Sequence, residues 1–248
     1  MLGGKLVHQT SDEYGTIEVV DYIEQLRAMH FGNKTQQSTC LICNPYFLIH
    51  KYAQAMTLPL CWLRAKRVLV LGLGAGSIVK HLYIYHPELI IDAVELRPAV
   101  TDIATEYFLL PEPDERLNIY HNKADYWLSQ NKNNNYDLII VDVFLTTISG
   151  TDITTDLSSS LYHIHEKLSQ TGVAVFNYLG DKPKSYPGYE KLSSIFDKKL
   201  STIDIESTNS IILASKTMLP KELKCDDLKK LAKISTIPYQ EYFNLLQS

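Results

Sequence analysis

A continuously apolar run, Val68-Leu69-Val70-Leu71, breaks into Gly72-Leu73-Gly74-Ala75-Gly76 and resumes as a helical pattern over 78–85. No other feature constrains this chain as strongly. An apolar run without alternation suits a strand covered on both faces, the situation of a parallel sheet between helix layers. Three glycines in five residues allow a sharp turn and leave no side chain between the main chain and what lies against it. A helix that starts there offers free N–H groups. The pattern recurs: candidate strands at 67–71, 89–94, 117–121, 136–141, 172–177 and 211–214 are mostly separated by stretches long enough for a helix. Such alternation predicts an α/β fold with a doubly wound, mostly parallel sheet.

The residues before this domain read differently. Ile17–Tyr22 and Gln25–Phe31 form short strand patterns with a turn signal at Gly32-Asn33, so residues 1–44 make a small β-rich module. From Pro45 a breaker-free segment predicts a helix over 45–58 that leads into the main domain, 45–248. Near the end, 221–233 and 239–246 read as surface helices. The 45% hydrophobic and 21% charged fractions are those of a folded chain without a disordered arm. A net charge of -4 with scattered lysines and arginines gives no footprint for nucleic acid or an anionic membrane. With no basic stripe beside them, the tyrosines read as core and interface residues. The N-terminus has no apolar run of signal-peptide length, which predicts a cytoplasmic protein. Cys40 and Cys43 have no second pair of similar spacing, so they read as buried thiols, not a zinc site. His163 and His165 point to different faces of a helix and read as surface or packing residues.

In an open α/β sheet a ligand lies at the carboxyl edge of the strands, where the glycine turn is. Gly72, Gly74 and Gly76 are therefore candidate ligand-binding residues, and close strand-to-helix packing is the alternative. Glu95 ends the run 90–94 where a ribose hydroxyl pair would need an acceptor. Its alternative role is a solvated acid capping the helix that starts near Pro98. Ser77 stands where a dinucleotide fingerprint needs a third glycine, which favours an adenosyl-methionine type ligand over NAD. Asp142 ends the apolar run 138–141, where its plainer role is an acid that caps the loop or satisfies backbone N–H groups after the strand.

The segments 67–77, Ala93-Val94-Glu95-Leu96-Arg97-Pro98 and Tyr136-Asp137-Leu138-Ile139-Ile140-Val141-Asp142 together resemble the spermidine synthase (polyamine aminopropyltransferase) family. The resemblance extends over most of 14–178, including a Gln37-Ser38 step, and is closest to a bacterial spermidine synthase-like branch with Gly-Leu-Gly-x-Gly-Ser. It implies a Rossmann-like domain of the AdoMet-dependent methyltransferase type, a homodimer, and no metal. The implied reaction moves an aminopropyl group from decarboxylated S-adenosylmethionine to an amine acceptor and releases methylthioadenosine. By motif match the three glycines would face the donor, Glu95 its ribose and Gln37 its outer side. Ala124 and Asp125 fall on its adenine side, and Asp142 would orient or deprotonate the attacking amine.

Several positions depart from the family. The family's aspartate in the glycine turn is Ala75, its diamine-gripping aspartate is Leu145, and its Gly-Asp-Ala is Asn122-Lys123-Ala124. The Tyr-His-Glu stretch appears as His50-Lys51-Tyr52. Asp152 and Asp156 are possible replacements for the missing diamine acid, with loop capping as their plainer role. Fewer carboxylates mean a poorer site for putrescine. Intact S-adenosylmethionine as donor, a methyltransferase, and a non-catalytic nucleoside-binding homologue are the rival readings.

Overall fold

A computed structural model describes residues 3–247 except 24, 33–36, 133–134, 147–151, 155–157, 181–183, 185–187, 207, 225–227, 229–230 and 232–234; of 145–146 and 152–154 it describes the backbone alone. The N-terminal part is a four-stranded antiparallel sheet in the order β1 (Lys5–Asp12), β2 (Gly15–Tyr22), β3 (Leu26–His30) and β4 (Ser38–Leu41). The strand patterns at 17–22 and 25–31 were legible. β1, mostly exposed and polar, and the four-residue β4 were not.

A short helix α1 (Lys51–Met56) follows, not the helix expected over 45–58. The segment before it stays non-helical because Leu48, Ile49 and His50 face the site described below, while Gln54 Nε2 donates to the Leu48 carbonyl at 2.6 Å. Then come β5 (Arg67–Leu71), α2 (Ser77–Tyr85), β6 (Ile90–Glu95), α3 (Pro98–Phe108), β7 (Leu117–His121), α4 (Ala124–Gln130) and β8 (Tyr136–Val141). A two-stranded ribbon, β9 (Phe144–Thr146) and β10 (Asp152–Thr154), leads to α5 (Leu161–Lys167), β11 (Leu168–Leu179) and α6 (Tyr189–Ile195). β12 (Leu200–Ile205) and β13 (Asn209–Ser215) complete a seven-stranded sheet in the order β12-β13-β11-β8-β5-β6-β7. β11, β8, β5, β6 and β7 run parallel, β13 is antiparallel to β11, and β12, antiparallel to β13, runs in the direction of the other five. This is the doubly wound fold expected, with β12 unforeseen.

Alternation along the central strands divides the interior. Val68, Val70, Leu138 and Ile140 belong to the core on one face, and Leu69, Leu71, Ile139 and Val141 to the core on the other. Each such side chain contributes about 1.5–3 kcal/mol by burial, which is why these strands needed no polar residue. A third core joins Ile17, Val19, Met29 and Cys40 of the small sheet to Ala75, Val100, Ile103 and Phe108. Arg97 reinforces that joint with a bidentate pair to Asp12, 2.9 and 2.8 Å.

The last helix, α7 (Tyr239–Asn244), corrects the expectation of a surface helix. Tyr239 and Tyr242 are buried, and their hydroxyls meet Thr57 Oγ1 at 3.0 Å and Gln54 Oε1 at 2.8 Å. The expected helix at 221–233 falls largely outside the described residues. Among the described residues no helix is long and apolar enough to cross a membrane.

Candidate functional site

The glycine turn is fixed between two strand ends. Gly72 N–H donates to the Val94 carbonyl at the end of β6, and Asp142 N–H donates to the Leu71 carbonyl, both at 2.9 Å. Gly72 has φ +89°, and a Cβ there would lie 2.2 Å from the Asp142 carbonyl oxygen. At Gly74 (φ +53°) a Cβ would meet Ser38 Oγ at 2.7 Å, and at Gly76 (φ +71°) Leu110 Cδ1 at 2.7 Å. Each of the three glycines thus has a positive φ and a close neighbour inside the chain, an arrangement compatible with either reading of the turn. Of the turn, Gly72 and Leu73 line the recess described below.

Ser38 connects the small sheet to this turn. Its hydroxyl accepts the Ala75 N–H at 3.1 Å, and the Ala75 side chain is fully buried in the apolar joint between the two sheets. The position that carries an aspartate in the resembled family is thus an apolar packing position here. Gln37, next to Ser38, donates its backbone N–H to the Met29 carbonyl at 2.9 Å and does not line the recess.

Glu95 is buried, which rules out the solvated cap. Its Oε2 accepts the Leu73 N–H at 3.0 Å and its Oε1 the Arg97 N–H at 2.9 Å, so it ties the glycine turn to the loop before α3. Burial pushes its carboxyl upward, and the backbone N–H groups of Arg97, Leu73, Gly74 and Leu96 oppose that. Asn122 N–H donates to the Glu95 carbonyl at 2.9 Å, which brings the loop before α4 to the same edge. There Ala124 is half-buried and Asp125 exposed, its Oδ1 accepting the Tyr126 N–H at 2.7 Å. Neither reaches the recess.

The recess holds about 20 Å³, roughly the room of one water, and its walls include Ser38, His50, Tyr52, Gly72, Ser77 and Asp142. It suits the reacting end of a ligand, not a whole nucleoside. A larger groove of about 910 Å³, among Trp62, Lys66, His86 and Glu222, contains no candidate site residue. Asp142 reaches the recess from the end of β8, and burial pushes its carboxyl up to about 6, against a hydrogen bond from Asn177. Burial holds the His50 imidazole below its usual range, so it is neutral at pH 7. Burial and then the Asp142 charge push the Tyr52 phenol far upward, which keeps it a proton donor. His50 stacks on Tyr52 with ring centroids 5.5 Å apart. Among the described residues His50 Nε2 and Ser77 Oγ are buried without a hydrogen-bond partner, a costly state that a ligand or water would relieve.

His50, Tyr52, Ser38, Ser77 and Asn177 were not singled out as site residues. One signal was available for Asn177: it ends the apolar run 173–176 as Asp142 ends 138–141, and a polar residue at the carboxyl end of a buried parallel strand points into the cleft. Of the other candidates, Leu145 lies in β9 opposite Ile153, and Asp152 opposite Thr146; their side chains, and all of Asp156 and Cys225, fall outside the described residues. Cys40 is buried as expected, but Cys43 is exposed. His165 packs edge-on to Phe196, with ring centroids 5.0 Å apart. Among the described residues no three His, Cys, Asp or Glu groups gather as a metal site.

No family model matches the chain. Over 211 residues it is 28% identical to the polyamine aminopropyltransferase of Neisseria meningitidis serogroup A, covering 84% of this chain and 78% of that one. Among solved structures, a probable spermidine synthase from Corynebacterium glutamicum superposes with a TM-score of 0.73 at 18% identity, covering 94% of this chain and 89% of that one. A spermidine synthase in complex with the transition state analogue AdoDATO gives 0.68 at 15% identity, with 97% and 89% covered. Human methyltransferase-like protein 13 in complex with SAH gives 0.60 at 20% identity, with 80% and 95% covered. The fold is thus common to spermidine synthases and methyltransferases, and the sequence similarity is to the former.

Proposed function

We propose that this homologue of the polyamine aminopropyltransferases moves an aminopropyl group from decarboxylated S-adenosylmethionine to an amine and releases methylthioadenosine. The observation that carries the reading is Asp142, a carboxylate with one hydrogen bond among the described residues, beside the glycine turn. An ammonium has no lone pair. Asp142 accepts its proton, and the amine then attacks the carbon next to the sulfonium, whose C–S bond breaks to leave a neutral thioether. Ionised above about pH 6, Asp142 is a base in the neutral range.

On this reading the Gly72–Gly76 turn faces the donor, Glu95 receives its ribose hydroxyls after exchanging backbone N–H groups for them, and Gln37, Ala124 and Asp125 flank the rest of it. We further propose that residues 1–44 and 45–248 act as separate modules of a cytoplasmic homodimer. Neither nucleic acid nor a membrane is a partner in this reading, and no metal takes part.

The test is a product assay on the purified protein with decarboxylated and intact S-adenosylmethionine and a panel of amines. Methylthioadenosine together with an alkylated amine is the expected result, with putrescine a poor acceptor. S-adenosylhomocysteine as product would assign methyl transfer instead, and silence over the whole panel would overturn catalysis.

A further inference from the structure

The two oxygens of the Asp142 carboxyl are not equivalent. Asn177 Nδ2 donates to Asp142 Oδ1 at 2.8 Å, and Asn177 Oδ1 in turn accepts Asn209 Nδ2 at 2.8 Å. Asn209 Oδ1 receives the Thr208 hydroxyl at 3.2 Å, a hydroxyl that also lies 3.1 Å from the Ile205 carbonyl. Asn177 and Asn209 are both buried, at the ends of β11 and β13 that meet at the carboxyl edge. Turning the Asn177 amide over would set its oxygen against the carboxylate and its NH₂ against the NH₂ of Asn209. The donor direction of the whole chain is therefore fixed as long as Asp142 is ionised.

We infer that Asn209, through Asn177, is a positioning residue for Asp142: the relay commits Oδ1 as a permanent acceptor and leaves Oδ2 as the oxygen that takes a proton. This rests on the role proposed for Asp142. In that reaction the ammonium gives one proton to Oδ2, the freed nitrogen pair forms the N–C bond, and the C–S pair departs on sulfur. Asp142 then returns the proton to solvent. A carboxyl held on one oxygen cannot rotate its free oxygen away from the incoming amine. Asn209 achieves this without touching the recess.

Among the described residues the other titratable groups lining the recess are His50 and Tyr52, so a titration near pH 6 must be assigned to Asp142 by substitution. Side-chain amide resonances of ¹⁵N-labelled protein provide the test without any activity measurement. The Asn177 NH₂ signal is expected to titrate with a midpoint near 6 and to stay flat in Asp142→Asn. In Asn209→Asp the relay is reversed, since an ionised carboxylate only accepts. Asn177 must then present its oxygen to Asp142, and the Asp142 midpoint should rise by about one unit or more. Asn209→Leu keeps the shape, frees the amide, and should give a smaller rise in the same direction. With an active acceptor, kcat should follow the shifted midpoint while KM for the donor stays within about twofold. An Asn177 signal indifferent to Asp142 in the parent protein, or an unmoved midpoint in a folded Asn209→Asp, overturns the relay. Coupled titration in a protein that transfers nothing would instead sink the proposed reaction and leave the relay standing.

Discussion

Asp137 and Asp142 sit at opposite ends of β8 and have opposite fates. Asp137, at the amino edge, accepts the backbone N–H groups of Lys66 and Arg67 on one oxygen, at 2.8 and 3.2 Å, and the Ser169 hydroxyl on the other at 3.0 Å. Two strands away, in β6, Asp92 is used up in the same way by Tyr136, Asn118 and Arg67 at 2.5, 2.9 and 3.1 Å. Among the described residues Asp142 has only Asn177. Acids of the same strand motif thus divide by what the edge supplies. The amino edge surrounds each with donors and turns it into a tie between strands, and the carboxyl edge leaves one short of donors beside the recess. Glu95 lies between these cases, buried at the carboxyl edge but satisfied by backbone.

The sharpest way to break this comparison is to neutralise both ends of β8. Asp142→Asn should lower turnover by about 10²–10⁴-fold with donor binding nearly intact, because the proton acceptor is gone. In the parent protein the rate should rise with pH through about 6 as the carboxyl ionises, and that limb should vanish in the variant. A pH–rate profile of both proteins decides it, and retained turnover in the variant would remove Asp142 from the chemistry.

Ala75→Asp should restore no donor preference and should cost about 3–5 kcal/mol, because it places a carboxylate in the apolar joint between the sheets. Urea unfolding measures the loss, and unchanged stability would mean that the side chain finds solvent or a cation. Glu95→Ala should weaken methylthioadenosine binding by about 1–3 kcal/mol in calorimetry. Equal affinity in a folded variant would leave Glu95 a purely structural tie, like Asp137.

Asp137→Asn should cost about 1–3 kcal/mol, since an amide group offers one acceptor where three donors converge, while turnover per folded molecule stays unchanged. The smallest effect has the opposite sign. The folded protein holds the Asp142 proton more tightly than the unfolded chain does, so ionising Asp142 costs stability. That cost is absent below about 3.8, grows as pH rises and is complete above about 6. Asp142→Asn should accordingly stabilise the protein at pH 8 by at most about 3 kcal/mol, with little gain at pH 3.5. Thermal unfolding at both pH values checks it, and a variant destabilised at pH 8 would show Asp142 to be a tie after all.

The central strands β5 and β8 were legible to the residue because continuous apolar runs between polar ends have one interpretation in an α/β chain, and the edge strand β7 was read with the same bounds it has. β12 was missed because Leu200–Ile205 mixes polar and apolar residues, as an edge strand with one solvated face does. α7 was given the wrong surroundings because the tyrosines that bury it can belong to a core or to a surface.

What the sequence by itself determined is therefore the doubly wound sheet, the place of the glycine turn, and an acid at the end of each of the two strands that flank β5. These follow from local pattern, since strand period and turn chemistry act over a few residues. Tertiary structure alone decided which acid is satisfied, why each glycine is required, and that His50, Tyr52, Ser77 and Asn177 gather around Asp142. Hydrogen-bond satisfaction depends on partners from distant segments, such as the Ser38 hydroxyl that accepts the Ala75 N–H or the Asn177 amide that donates to Asp142. No local pattern encodes which distant donor arrives and which does not.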